Sequence, residues 1–223
     1  MSQLHLFQEP KPRIGEVEEH LSQTGGRYCI GVDEAGRGPW AGSVVASAVV
    51  FPLGSLPERL ALLNDSKQLK AKQRRSLCQP IFDHALAIGV AESEAKVVDQ
   101  VNILQATFLA MKLSIESVLE QVKLEIDWIF IDGKQTLPFD FGIPQKAIVK
   151  GDGRSYHIAA ASIIAKEVRD QQMCIAHRRF PQYHFNQHKG YGTRLHQQMI
   201  AQHGICPLHR QTFKPIARHL KET

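Results

Sequence analysis

Asp33 and Glu34 close the apolar run Cys29-Ile30-Gly31-Val32 and are followed at once by a glycine-bracketed arginine, Gly36-Arg37-Gly38. Two more acids repeat the placement. Asp132 closes Trp128-Ile129-Phe130-Ile131, and Asp152 follows Ala147-Ile148-Val149. Acids at the ends of three strands converge at one edge of a mixed sheet, where they repel one another unless cations neutralise them. Hard oxygen donors without accompanying Cys or His favour Mg²⁺ or Mn²⁺ over zinc. A carboxylate cluster holding two such ions suits in-line phosphodiester hydrolysis, because one ion activates the attacking water and the other stabilises the leaving oxygen. Neighbouring residues in a strand point to opposite faces, so Asp33 and Glu34 serve one site only if the strand breaks where they sit. Ala35-Gly36 is expected to supply that break. Taken alone, the stretch also reads as a hairpin tip with two solvated acids.

The elements that must carry these residues follow from the pattern. Tyr28 to Val32 and the Val- and Ala-rich run Val44 to Phe51 read as paired strands, with a third short strand over Ala85 to Ala91. The basic run Lys70, Lys72, Arg74 and Arg75 opens a helix toward Ala85, with Leu77 and Ile81 on one face and Pro80 expected to kink or shorten it. These cations are either a solvated face or a surface for phosphate. Asn102 is the expected N-cap of a helix with the stripe Leu104, Phe108, Met111, Ile115 and Val118, read as core. A long helix is expected from His157 to His177, its first turns small enough to lie close on the sheet. Beyond Pro181 the composition shifts to His, Gln, Lys and aromatics, with another helix near Thr193 to Gln202.

At 223 residues the chain fits one ordinary domain with a small appendage. The expected division is a tail with a short helix over 1–26, a catalytic domain over 27–180 and a helical region over 181–223. Its formal charge of +5 suits a polyanionic partner. The four cysteines, Cys29, Cys78, Cys174 and Cys206, form no C-x-x-C pair, which fits a reduced compartment. With no secretory leader and no 18-residue apolar stretch, a cytoplasmic protein off the membrane is expected, a monomer by default. The eleven histidines raise the question of zinc, but a closed shell takes four ligands, and the Cys174/His177 and His184/His188 spacings find no compelling second pair. His188 and Lys189 are read as shaping the segment around Tyr191, and Asp170 as part of a structural ion pair.

A series of separated blocks then becomes recognisable: GVDEAGRGPWAG, NDSKQL, NILQATFLAMK, FIDGK, VKGDGRSYHIAAASIIAKEVRD, FPQY, HKGYGT, and His209-Arg210 with Phe213 and Pro215. In this order and spacing they resemble bacterial ribonuclease HII, the type 2 ribonuclease H family, over nearly all of residues 27 to 216. The resemblance implies an α/β, ribonuclease H-like fold, a mixed five-stranded sheet flanked by helices with a small C-terminal helical region. It implies that Asp33, Glu34, Asp132 and Asp152 bind two divalent ions, Mn²⁺ or Mg²⁺. It further implies that Gly36, Arg37 and Gly38 contact the 2′-hydroxyl of the target ribonucleotide and that Tyr191 stacks on the next sugar. Ser66 and Lys67 are expected to touch phosphate, an ordinary capped turn being the alternative. Trp40, Lys70 and Pro80 depart from the family pattern without touching the expected ligands.

The expected activity is endonucleolytic cleavage of the RNA strand of RNA/DNA hybrids, and of duplex DNA on the 5′ side of a single embedded ribonucleotide, leaving 3′-hydroxyl and 5′-phosphate ends. A junction resolvase on the same fold and a non-catalytic hybrid-binding or clamp-associated module are the rival readings. In the tail, Gln3-Leu4-His5-Leu6-Phe7 resembles the pentapeptide by which bacterial DNA-processing proteins dock on the sliding clamp. Leu4, Leu6 and Phe7 could equally pack on the protein's own core.

Overall fold

The computed structural model describes residues 13–54, 56–63 and 69–222. Strands β1 (Cys29–Ala35), β2 (Val44–Val50), β3 (Ala87–Ser93), β4 (Trp128–Asp132) and β5 (Gln145–Ile148) form a single sheet in the order β3-β2-β1-β4-β5. β1, β2 and β3 pair antiparallel, whereas β4 and β5 join parallel to β1. The mixed five-stranded sheet expected from the sequence is thus present. The parallel pairs also align the C-terminal ends of β1, β4 and β5, the edge where the acids lie.

Both faces of the sheet are covered, as parallel pairing requires. On one face lies helix α3 (Ala95–Gln121), whose Ala110, Met111, Ile115 and Val118 pack on Ile30, Val32, Ala46 and Ala48. On the other lie α2 (Ala71–His84) and α4 (Tyr156–Arg179), whose Leu77, Ile81 and Ala159 to Ile164 pack around Val49 and Phe51. α4 crosses β1 very closely: a Cβ at Gly31 would lie 2.4 Å from the backbone of His157 and Ile158. Glycine is required there by contact alone. α1 (Glu16–Gln23) covers the end of this layer, with Leu21 buried against Cys29, Phe130, Ile148 and Ile158.

Three expectations change. Asn102 does cap a helix, its Oδ1 accepting from the amides of Leu104 (3.0 Å) and Gln105 (3.2 Å), but a first segment already runs from Ala95. Asn102 itself has φ 69°, so the two segments meet at a kink. Pro80 does not end α2, which continues to His84. Arg74 leaves the basic run: it is buried, with Nε 2.9 Å from Glu167 Oε1 and Nη2 3.3 Å from Asp170 Oδ2. Asp170 also holds Lys166 at 2.6 Å, so the acid is a structural ion-pair partner, as the sequence suggested.

Beyond α4 come a short turn at Pro181–Tyr183, then α5 (Phe185–His188), α6 (Arg194–His203) and α7 (Lys214–Glu222). Tyr183, Phe185 and Cys206 gather with Met173 of α4 and Ala41 of the β1–β2 connection into a local core. Thr193 caps α6, its Oγ1 accepting from the His196 amide at 3.3 Å. Among the described residues no helix is long and apolar enough to cross a membrane.

Candidate active site

Cys29, Gly31 and Asp33 alternate with Ile30 and Val32, so Asp33 faces α4 while Glu34 turns toward α3. The expected break at Ala35-Gly36 comes too late to change this: Glu34 still pairs with Ala46, and Ala35 with Val45. The two acids therefore reach the sheet edge from opposite faces. Val32 lies beside Ile131 in the parallel register, which sets Asp132 next to Asp33. Asp152 arrives from the turn Gly151–Gly153 after β5.

Asp33, Asp132 and Asp152 bring carboxylate oxygens within 4.8 Å of one another. Asp33 and Asp152 are buried and Asp132 partly so. Asp33 Oδ1 accepts from the Glu34 amide at 2.7 Å, and Asp132 Oδ1 accepts from the Gly151 amide at 2.7 Å, which ties the β5 turn to the end of β4. Burial, then the charges of Glu34 and Asp132, push the Asp33 carboxyl well above the ordinary range, while the Ser162 hydroxyl and the Glu34 amide offset this in part. Such a set fits divalent cations by its chemistry: oxygen donors only, and repulsion that a hard cation relieves.

Glu34 stands outside that trio. Its carboxylate is 3.6 Å from the Arg37 guanidinium, and with Asp132 it lines a cavity of about 340 Å³ whose other wall is Leu104, Thr107, Phe108 and Met111. The helix read as pure core thus contributes its first turns after the kink to the site's surroundings. A larger cavity of about 790 Å³ lies elsewhere, between α1 and the outer edge of β5, floored by Trp128 and Phe130. None of the four acids lines it.

The glycine-arginine-glycine loop leaves β1 beside these acids. Gly36 has φ 101°, and a Cβ there would meet Arg169 Nε at 2.1 Å. Tyr191, 45% exposed, stands next to the loop: a Cβ on Gly38 would lie 3.8 Å from its ring. Trp40 fixes the approach, its amide donating to Gly190 O at 2.8 Å and its ring packed where a Gly192 side chain would sit. His188 shapes the segment as expected, with Nε2 2.7 Å from Tyr183 O and Nδ1 accepting from the Gly190 amide at 3.2 Å. Ser66, Lys67, Gln3, Leu4, Leu6 and Phe7 lie outside the described residues.

Sequence reasoning passed over several side chains that build this region. Arg169 and Arg210 are buried and hold the loop through its carbonyls. Ser162 reaches Asp33 from α4. His196 and His209 meet at 3.0 Å through their Nε2 atoms, and His196 Nδ1 reaches Tyr191 O at 3.0 Å. Burial, followed by the neighbouring His188, lowers His196 to about 3 and His209 to about 4, so both are neutral at pH 7. A signal existed for Arg169: it continues the helical row Ile158, Ser162, Ala165 and Met173, where a buried face was already expected. Arg210 falls in the closing block with His209, Phe213 and Pro215, but nothing local in that block marks it as a partner of the Gly36 loop.

The family model described as Ribonuclease HII matches residues 30–216. The chain is 46% identical over 221 residues to a protein named Ribonuclease HII from Geotalea daltonii, covering 99% of this chain and 98% of that one. Among solved structures it resembles Bst-RNase HIII in complex with Mn²⁺ (TM-score 0.76, 19% identity, covering 99% of this chain and 76% of that one). It also resembles the ribonuclease HII of a PCNA complex from Archaeoglobus fulgidus (TM-score 0.65, 22% identity, covering 83% and 94%).

Proposed function

This chain belongs to the ribonuclease HII family of type 2 ribonuclease H endoribonucleases, and on that premise we propose that it cuts both the RNA strand of RNA/DNA hybrids and duplex DNA on the 5′ side of a single embedded ribonucleotide. The products are a 3′-hydroxyl and a 5′-phosphate. Replication primers and misincorporated ribonucleotides are the substrates, met in the cytoplasm by a monomer. The observation that carries the reading is the trio Asp33, Asp132 and Asp152 within 4.8 Å, beside a loop bounded by Tyr191.

Asp33, Asp132 and Asp152, with Glu34 from the other face of the sheet, would hold two divalent ions, Mn²⁺ or Mg²⁺. Ions held there supply a more acidic attacking water and a counter-charge for the leaving oxygen. The chain's own residues supply position. The Gly151 amide orients Asp132, and the Glu34 amide and Ser162 orient Asp33. Gly36 and Arg37 turn their carbonyls inward to Arg210. Across a trans peptide the next amide points the opposite way, so the N–H groups of Arg37 and Gly38 face outward. A 2′-hydroxyl, the group that separates RNA from DNA, can meet those amides while Tyr191 stacks on the adjoining sugar.

Residues 27–180 act as the catalytic domain and 181–223 complete the substrate surface. Ser66 and Lys67 are assigned to a phosphate contact. Gln3, Leu4, Leu6 and Phe7 are assigned to a sliding clamp, the Archaeoglobus fulgidus ribonuclease HII being known in complex with PCNA. Cleavage of an end-labelled duplex carrying one internal ribonucleotide tests the central reading, with an all-DNA duplex alongside, in Mg²⁺ and in Mn²⁺. A cut on the 5′ side of that ribonucleotide alone is expected. An uncut duplex in both metals, or cleavage of the all-DNA control, overturns it.

A further inference from the structure

A buried guanidinium ordinarily faces a carboxylate, since an unpaired charge in the interior is costly. Arg169 and Arg210 are 1% and 0% exposed, and among the described residues neither forms an ion pair. Both spend their donors on backbone carbonyls, all but one of them in one short stretch. Arg210 reaches Gly36 O (2.7 Å), Arg37 O (3.0 Å), Pro39 O (2.8 Å) and Gly42 O (3.0 Å). Arg169 reaches Ala41 O (3.1 Å) and Ser43 O (3.0 Å), and its third contact is Lys189 O at 3.0 Å, two residues before Tyr191.

The consequence is geometric. Six carbonyls of a connection between two strands are gathered around two planar groups, and the five donors of each guanidinium fix their directions. No hydrophobic packing alone would select that arrangement, because each carbonyl left without a donor in the interior carries an uncompensated desolvation cost. Arg210 remains largely charged at neutral pH, burial and the nearby Arg169 having lowered it only to about 9. Arg169 spans both halves of the proposed ribose contact, the loop and the Tyr191 segment.

We propose that Arg210 and Arg169 are positioning residues for ribose discrimination: without touching the substrate, they hold the Gly36–Ser43 loop in the shape that presents the Arg37 and Gly38 amides to a 2′-hydroxyl at a fixed distance from Tyr191. The proposal rests on the ribonucleotide-recognition reading above. Lysine in place of Arg210 keeps the charge and the stem but not the fork, so it satisfies fewer carbonyls and lets the loop move.

The test is equilibrium binding in Mg²⁺ in the Asp33→Asn background, which keeps the duplex uncut. Fluorescence anisotropy compares a duplex with one ribonucleotide against the same duplex in all-DNA form. Adding Arg210→Lys is expected to shrink the affinity ratio by about tenfold, equivalent to about 1.4 kcal/mol, with all-DNA affinity changed less than about twofold. An unchanged ratio in a variant with an unaltered melting profile overturns the proposal, as does an equal loss on both duplexes. Should Arg210→Lys not fold, Arg169→Lys is put through the same comparison with the same expected collapse of the ratio. A parent that shows no preference for the ribonucleotide instead overturns the reading on which the proposal rests.

Discussion

Cys29, Gly31 and Asp33 share one face of β1, and each end of that row meets two further ligand-type side chains. At one end Asp33 joins Asp132 and Asp152; at the other Cys29 joins Glu18 and His157. By donor type alone the second group, with its thiol and imidazole, is the more conventional transition-metal set. Their electrostatics point the other way. Burial pushes Glu18 upward, but the hydrogen bond and charge of His157, with the Ser155 hydroxyl, bring its carboxyl below the ordinary value. Its Oε1 accepts from His157 Nδ1 at 2.9 Å and from Ser155, the residue that caps α4. Asp33 is raised because its charged neighbours are acids. A buried cluster that supplies its own counter-groups is a joint; one that leaves its acids facing each other is where a cation has work to do.

The largest effect that could break this contrast is on turnover. Asp33→Asn is expected to lower the cleavage rate at least about a thousandfold, as loss of a proposed metal ligand would, while duplex affinity is largely preserved. A rate near wild type would remove Asp33 from the site. The same variant should melt higher than wild type in chelator, because it deletes a charge from a repelling cluster. Equal or lower melting would mean that the acids are not in conflict.

Glu18→Ala should cost about 3 kcal/mol in denaturant unfolding, since it strips His157 and Ser155 of a buried partner. Asp152 lies only three residues before Ser155, so the weakened α4 cap should also raise the Mn²⁺ concentration needed for half-maximal rate. Loss of stability with no change in that concentration would confine Glu18 to the joint.

Divalent cation sharpens the comparison from the other side. At about a hundred times its dissociation constant, Mn²⁺ should stabilise wild type by about 2.7 kcal/mol, and Asp33→Asn much less. Cys29→Ser should leave that response intact. Should Cys29→Ser abolish it instead, the two clusters have been assigned the wrong way round.

The smallest effect is on acid unfolding. Glu18 has a folded-state value below its ordinary 4.5, so its stabilisation is complete above 4.5 and is lost as pH falls through the lowered value. Glu18→Gln should therefore flatten the fall in stability below pH 4.5. An identical acid limb in both proteins would show that Glu18 gains nothing from His157.

Much of this was legible because it is local. An acid after Trp128-Ile129-Phe130-Ile131, or after Cys29-Ile30-Gly31-Val32, declares a strand end by periodicity, and the stripe from Leu104 to Val118 declares a helix. Asn102 reads as a cap, but the segment from Ala95 to Val101 that meets it at a kink carries no mark in the apolar periodicity. The Asp33/Glu34 expectation failed for a simple reason: β1 keeps its register through both residues, so the site straddles the sheet edge instead of sitting at a bend. Arg210 stands in a block that carries the resemblance, yet its role, like that of Glu18, is not legible there, because the partners are distant in sequence and are backbone carbonyls or a capping serine, which carry no compositional mark.

The span between Gly36 and Arg210 is 174 residues, and it has a meaning in time. At about 5–20 residues per second of synthesis, roughly 9 to 35 seconds separate the appearance of the loop from that of the guanidinium that gathers its carbonyls. All four acids leave the ribosome within that interval or before it. A nascent chain thus carries all four acids well before it carries the guanidinium that draws the loop's carbonyls together, so the two ends of that constraint are joined only late in synthesis.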